Sequence, residues 1–223
     1  MLKKVLIVAA TEAEAEAVRS ITGIKSSEGL FYYGNYEIAL LVTGAGSAAT
    51  SWSMMKWLCS NASPDLAINI GIAGSYADDI KVGDVVTPVT DCFADSGVET
   101  ENGFLTLTET GMADIITGSG RMVPGNMYAM NLSRLVRPVD AITVNTVTGN
   151  IDTLNKRVVI FKPDIETMEG ATFFYICLRE KIPFVALRSI SNKVEPRNRK
   201  NWDIQLAVRN LSERLKDFLV MPD

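Results

Sequence analysis

Seven short apolar runs, each closed by turn residues, recur along the whole chain and constrain its fold more than any other feature. They span 5–10, 38–42, 66–70, 85–89, 141–144, 158–161 and 184–190, and each reads as a strand. Several are apolar at consecutive positions rather than alternate ones, the pattern of strands covered by helices on both faces. Helical periodicity fills the gaps: after Thr11, over 47–60, over 167–180 and over 203–219. The last is the clearest, with Ile204, Ala207, Val208, Leu211, Leu215, Phe218 and Leu219 on one stripe. Strands alternating with helices predict an α/β fold of three layers around a mixed, mainly parallel sheet. The length of 223 residues suits a single domain over 1–223.

Composition removes several classes of function. With 22 basic and 26 acidic side chains the formal net charge is -4, so no basic face for a nucleic acid or an anionic membrane is expected. The apolar run at 5–10 is followed at once by Glu12, Glu14 and Glu16, too short for a signal core or a membrane span. A cytoplasmic location is therefore expected. Histidine is absent, which excludes a His-dependent triad and a His metal site. Cys59, Cys92 and Cys177 are scattered and read as reduced thiols, and no metal site or cofactor is expected from them.

Five stretches carry possible chemistry. "LLVTGAGSAA" (40–49) places Gly44-x-Gly46-x-x-Ala49 between a strand and a helix. It reads either as a tight turn or as a loose dinucleotide fingerprint. "INIGIAGSY" (68–76) reads as a strand entering a Gly-x-x-Gly turn, where backbone can approach a ligand closely. In "TEAEAEAVRSI" (11–21), Glu12, Glu16 and Arg19 share a solvated helix face, whereas Glu14 falls with Val18 and Ile21 on the apolar one. A carboxylate on a buried face suits a general base, although a first-turn glutamate also answers the helix dipole. In "ETMEGATFFYICL" (166–178), Glu169 opens an apolar helix; it either answers that helix's dipole or accepts from a vicinal diol such as a ribose, with Met168 beneath the sugar. Asn192 ends the strand in "PFVALRSISN", either as a turn residue or as an amide that donates and accepts at one ligand edge.

The combination of "NIGIAG", "IETMEGA" and "RSISN" resembles the nucleoside phosphorylase/nucleosidase superfamily over essentially the whole chain. More narrowly, "ETMEGATFFYICL" with "SISNKVEPRNRKNWDIQLAVRNL" is similar to the branch that cleaves futalosine to hypoxanthine and a dehypoxanthine product. The alternative is a methylthioadenosine/S-adenosylhomocysteine nucleosidase or another purine nucleoside hydrolase or phosphorylase. The resemblance implies the fold of that superfamily, a small nucleoside as partner, no cofactor and a homodimer. It places Glu14 as activator of the attacking water, Met168 and Glu169 at the ribose, and Asn192 at the base. Ala73 and Gly74, with Asn150 and Ile151 of the 148–151 turn, are expected to wall the nucleoside pocket.

Adenosine-cleaving relatives carry an aspartate at the base position, so Asn192 favours a 6-oxopurine. Phosphorylases carry arginines near their glycine turns, and neither "TGAGSAA" nor "GIAGSYA" holds a cation, which favours water as nucleophile. The benzoate of futalosine needs a cation, for which Lys193, Arg197 and Arg199 are candidates, unless "EPRNRK" is only a charged surface loop.

Overall fold

A computed structural model describes residues 2–101, 103–114, 118, 120–196 and 198–221. Inside its sheet lies β1 (Lys3–Ala9), whose successive side chains enter two different cores. Val5, Ile7 and Ala9 share one core with α1 (Glu12–Arg19), α3 (Met127–Leu135) and α6 (Ile204–Leu219). Leu6 and Val8 share the other with α2 (Ser47–Ser60) and α5 (Gly170–Glu180). This period of two explains why the run had to be apolar throughout. In the second core the rings of Phe174 and Phe184 meet edge to face at 4.7 Å, and those of Phe173 and Phe184 at 5.6 Å.

The remaining strands are β2 (Lys25–Ser27), β3 (Leu30–Tyr33), β4 (Tyr36–Val42), β5 (Leu66–Ser75), β6 (Val85–Thr90), β7 (Gly97–Thr100), β8 (Gly103–Thr106), β9 (Arg137–Thr143), β10 (Ile165–Thr167) and β11 (Phe184–Lys193). Eight of them join β1 in one mixed sheet of nine strands, in the order β10-β9-β6-β11-β5-β1-β4-β3-β2. The pairs β1–β4, β1–β5, β5–β11, β6–β9 and β9–β10 are parallel. β11–β6, β2–β3 and β3–β4 are antiparallel. β10 also pairs antiparallel with β5, through Ile165–Ser75 and Glu166–Gly74, so β5, β11, β6, β9 and β10 close into a ring.

The three-layer, mixed α/β expectation holds, with three local corrections. The run 158–161 is the end of helix α4 (Ile151–Phe161), not a strand; Asn150 caps that helix by accepting from the Thr153 N–H at 2.9 Å. Four apolar residues in a row suit either state, and the cap upstream decides. Gly71 and Gly74 lie inside β5, which runs on to Ser75, rather than in a turn. The stretch from 93 to 130, where no strand or helix was expected, contains the hairpin β7–β8 and the start of α3.

Candidate active site

Glu14 completes a capping box at the start of α1. Thr11 donates from its N–H (3.0 Å) and its hydroxyl (2.9 Å) to Glu14 Oε2, and its Oγ1 accepts from the Glu14 N–H. The other oxygen, Oε1, accepts from the Ile72 N–H of β5 at 2.9 Å. Glu14 is buried with Val18 and Ile21, while Glu12 pairs with Arg19 in solvent at 2.8 Å. Glu14 therefore stands both in the first turn of α1 and on its buried face, and the capping box is a further contact that neither reading included. The site also explains Gly71: a Cβ there would stand 2.6 Å from Glu14 Oε1.

Glu169 precedes α5, but its side chain makes no cap hydrogen bond there. The first amides of that helix are taken by hydroxyls instead: Gly170 N–H by Thr167 at 3.2 Å and Ala171 N–H by Thr143 at 2.7 Å. The Glu169 carboxylate turns to α2, where Oε1 accepts from the Gly46 N–H at 2.8 Å. The glycine-rich 40–49 turn thus offers its amide to a side chain of the same protein. Gly44 and Gly46 both adopt φ +89°, which the turn requires. Burial raises the Glu169 carboxyl above its ordinary value and the Glu14 charge adds to the rise, while the Gly46 amide and the Arg188 charge oppose it. Met168, half-buried, stands immediately before Glu169.

Arg188 was overlooked in the sequence. It lies in the middle of β11, opposite Gly71, and is almost wholly buried. Its guanidinium donates to Asn69 O (2.9 Å), Leu187 O (3.0 Å) and Asn69 Oδ1. It makes no ion pair among the described residues, yet Glu169, Glu14 and Asp91 are all close enough to act on its charge. An arginine inside an otherwise apolar strand was the signal available, because a buried charge needs a counter-charge. Asp91 is fully buried behind α5, and its Oδ1 accepts from Thr143 Oγ1 at 3.0 Å. Desolvation pushes its carboxyl up to about 7 against the opposing charge of Arg188. Its second oxygen has no partner and stands 2.2 Å from where a Cβ on Gly170 would lie.

Asn192 follows a β-bulge. Ile190 pairs with Ala73 and Asn192 with Gly74, leaving Ser191 unopposed. The Ser191 hydroxyl donates to Asn192 Oδ1 at 2.8 Å, and Asn192 Nδ2 donates to Lys193 O at 2.9 Å, so the amide is held in one orientation. A Cβ on Gly74 would meet Val194 Cγ2 at 2.8 Å and Asn192 Nδ2 at 3.2 Å, so glycine leaves room for the amide. Ala73 is buried beside Ile190.

The other expected wall is built differently. Thr148 donates from its N–H to Glu166 Oε1 (2.8 Å) and from its hydroxyl to Oε2 (2.5 Å). Tyr76 OH (2.7 Å) and Arg157 NH1 (3.0 Å) reach the same Oε2. Burial and the Glu166 charge hold the Tyr76 phenol well above its usual range, so it stays a donor. Asn150 spends its side-chain oxygen capping α4 and Ile151 is exposed; no hydrogen bond joins either to Glu14, Glu169 or Asn192. Among the expected cations, Lys193 is paired with Asp78 at 2.6 Å, Arg199 is exposed, and Arg197 lies outside the described residues.

Two carboxylates at helix starts, a buried arginine close enough to act on both, and an amide at a bulge make up the candidate site. The chain belongs to the phosphorylase superfamily, whose pattern residues 4–135 match, and within it to the futalosine hydrolase family. It is similar to the futalosine hydrolase of Acidothermus cellulolyticus, 32% identical over 95% of this chain and 88% of that one. It is also similar to the futalosine hydrolase of Streptomyces coelicolor, 29% identical over 78% and 75%. Its structure resembles a methylthioadenosine/S-adenosylhomocysteine nucleosidase from Colwellia psychrerythraea in complex with adenine, with a TM-score of 0.80, 20% identity and coverage of 98% and 95%. At that identity the likeness is one of fold.

Proposed function

We propose that the chain hydrolyses the N-glycosidic bond of futalosine, releasing hypoxanthine and dehypoxanthine futalosine in the alternative menaquinone pathway. The observation that carries this is the grouping of Glu14 and Glu169 about buried Arg188, with the neutral amide of Asn192 at the strand end. Glu14, fixed at both oxygens by Thr11 and Ile72, holds a water against C1′ and takes its proton. The water oxygen bonds to C1′ as the C1′–N9 bond breaks and its electron pair leaves with the base. Glu169 accepts from the 2′ and 3′ hydroxyls above Met168, and the two carboxylates stabilise the cationic ribosyl centre. Asn192 donates to N7 of hypoxanthine, and N9 takes a proton from solvent as the base departs, while Glu14 returns its proton to solvent.

The same charges disfavour phosphorolysis. Two carboxylates face the nucleophile position, and Asn69 and Leu187 already take three of the five Arg188 N–H donors, so a phosphate would meet like charge and a guanidinium largely committed elsewhere. The protein acts as a cytoplasmic homodimer in this reading. Three unpaired cysteines suit a reducing compartment, and Trp52 on α2 and Val159 on α4, 70% and 75% exposed, suit a covered face.

The test is base release without phosphate from futalosine, inosine and methylthioadenosine in parallel. Hypoxanthine from futalosine is the expected result. Adenine from methylthioadenosine with futalosine inert would sink the substrate assignment, and turnover only after phosphate is added would sink hydrolysis.

A further inference from the structure

Helix α5 is capped from two neighbouring strands, and the residue at its own start is spared that task. Glu169 holds the N-cap position, since its carbonyl accepts the first helical bond, from the Phe173 N–H at 3.0 Å. A polar side chain at that position ordinarily takes an amide of the first turn. Here the Gly170 N–H goes to Thr167 Oγ1 of β10 at 3.2 Å, and the Ala171 N–H to Thr143 Oγ1 of β9 at 2.7 Å. With those amides filled, the Glu169 carboxylate reaches across to the Gly46 N–H.

The direction of these bonds is set by Asp91, one residue past β6. Thr143 has a single hydroxyl hydrogen, which it donates to Asp91 Oδ1 at 3.0 Å. Oδ1 accepts whether or not the other oxygen carries a proton. The lone pairs of Thr143 Oγ1 are thereby turned to the Ala171 N–H and to the Thr167 hydroxyl, 3.2 Å away, which becomes the donor of that pair. Without an acceptor at position 91, the Thr143 hydrogen has no fixed direction and the hydroxyl chain no fixed sense. All three side chains are buried, so bulk water does not replace a lost partner. Gly170 belongs to the same arrangement. Its φ is not positive, yet a Cβ there would collide with Asp91 Oδ2 and stand 2.9 Å from Thr167 Oγ1.

We infer that Asp91 is a positioning residue for Glu169: through Thr143 and Thr167 it caps α5 from outside and keeps the Glu169 carboxylate free for the sugar hydroxyls. This rests on the ribose role of Glu169 proposed above. If the outside cap is removed, the nearest acceptor for the Ala171 amide is Glu169 itself, and a carboxylate turned onto its own helix no longer faces a diol.

The experiment compares kcat/KM for futalosine and its 3′-deoxy analogue in the wild type, Thr143→Val, Thr143→Ser, Thr167→Val and Asp91→Ala, with crystal structures of the wild type and Thr143→Val. The wild type is expected to favour futalosine by about tenfold or more, the worth of one charge-assisted hydrogen bond. Thr143→Val and Asp91→Ala bring that ratio towards one, and Thr143→Ser, which keeps the hydroxyl, retains it. Thr167→Val releases the Gly170 amide alone and lowers the ratio in the same direction, which covers the case that a harsher variant does not fold. In Thr143→Val crystals the Glu169 carboxylate bonds to the Ala171 N–H in place of the Gly46 N–H. An equal fall on both substrates, a ratio lost as fully in Thr143→Ser, or Glu169 still on Gly46 in Thr143→Val overturns the positioning role. Wild-type protein that cleaves both substrates equally overturns the ribose role of Glu169 and this inference with it. Wild-type protein inert towards futalosine overturns the substrate reading, and the Thr143→Val structure alone then decides the positioning.

Discussion

An amide at position 192 can stabilise negative charge on a departing purine by donating to N7, but it cannot give that purine a proton. Hypoxanthine tolerates this because its oxo group spreads the charge, whereas adenine is a poorer leaving group. Asn192→Asp is therefore expected to shift the ratio of kcat/KM values toward 6-aminopurine nucleosides by about a hundredfold or more, the usual contribution of a placed general acid. An unchanged ratio would mean that the base is read elsewhere. Glu169 supplies a second residue-scale prediction. Its carboxyl is raised by burial, and only the ionised form can accept from two hydroxyls as well as from Gly46. Activity should fall as pH drops, with the acid limb of kcat/KM lying above the ordinary carboxylate range; a limb at or below that range would exclude Glu169 as the titrating group. Glu14, Glu169 and Asn192 stood out as candidates in the sequence because each broke a local pattern: a charge on an apolar helix face, a carboxylate before a buried helix, an amide closing a strand. Arg188 broke a pattern too, but its reason lies in three carboxylates from other parts of the chain, and no local window contains them.

Elements were readable where one stretch decides its own state. The strands β1, β4 and β5, and the helices α1, α2 and α6, follow from periodicity and caps. β10 did not, because three residues become a strand only by pairing with β9 and β5, which are distant in sequence. β2 and β3 are similarly short and partly exposed, and α4 shows solvent an apolar face that mimics a strand. What holds α4 in place is the Glu166–Arg157 pair, both partners buried at 3.0 Å, with Arg157 NH2 also donating to Thr146 O. Arg157→Met should leave Glu166 charged among neutral donors and cost about 3–5 kcal/mol of stability, read from chemical denaturation. Arg157→Met combined with Glu166→Gln should recover part of that loss. A single variant as stable as the wild type would show that Tyr76 and Thr148 alone satisfy the carboxylate.

At the scale of the molecule, the exposed apolar side chains of α2 and α4 predict self-association. Sedimentation at micromolar concentration should give twice the chain mass, and a monomer there would remove the dimer from the reading. The ring made by β5, β11, β6, β9 and β10 has a further consequence. Glu166, Gly74 and Asn192 lie side by side across it, so the base end of the proposed nucleoside cleft rests on strands that have no free edge from which to unzip. The backbone amides of 71–75 and 188–192 should exchange with deuterium only through global opening, long after those of β2, β3 and the β7–β8 hairpin. The cleft would then persist through the partial openings that loosen the rim, and denaturant would abolish turnover only as the whole fold is lost.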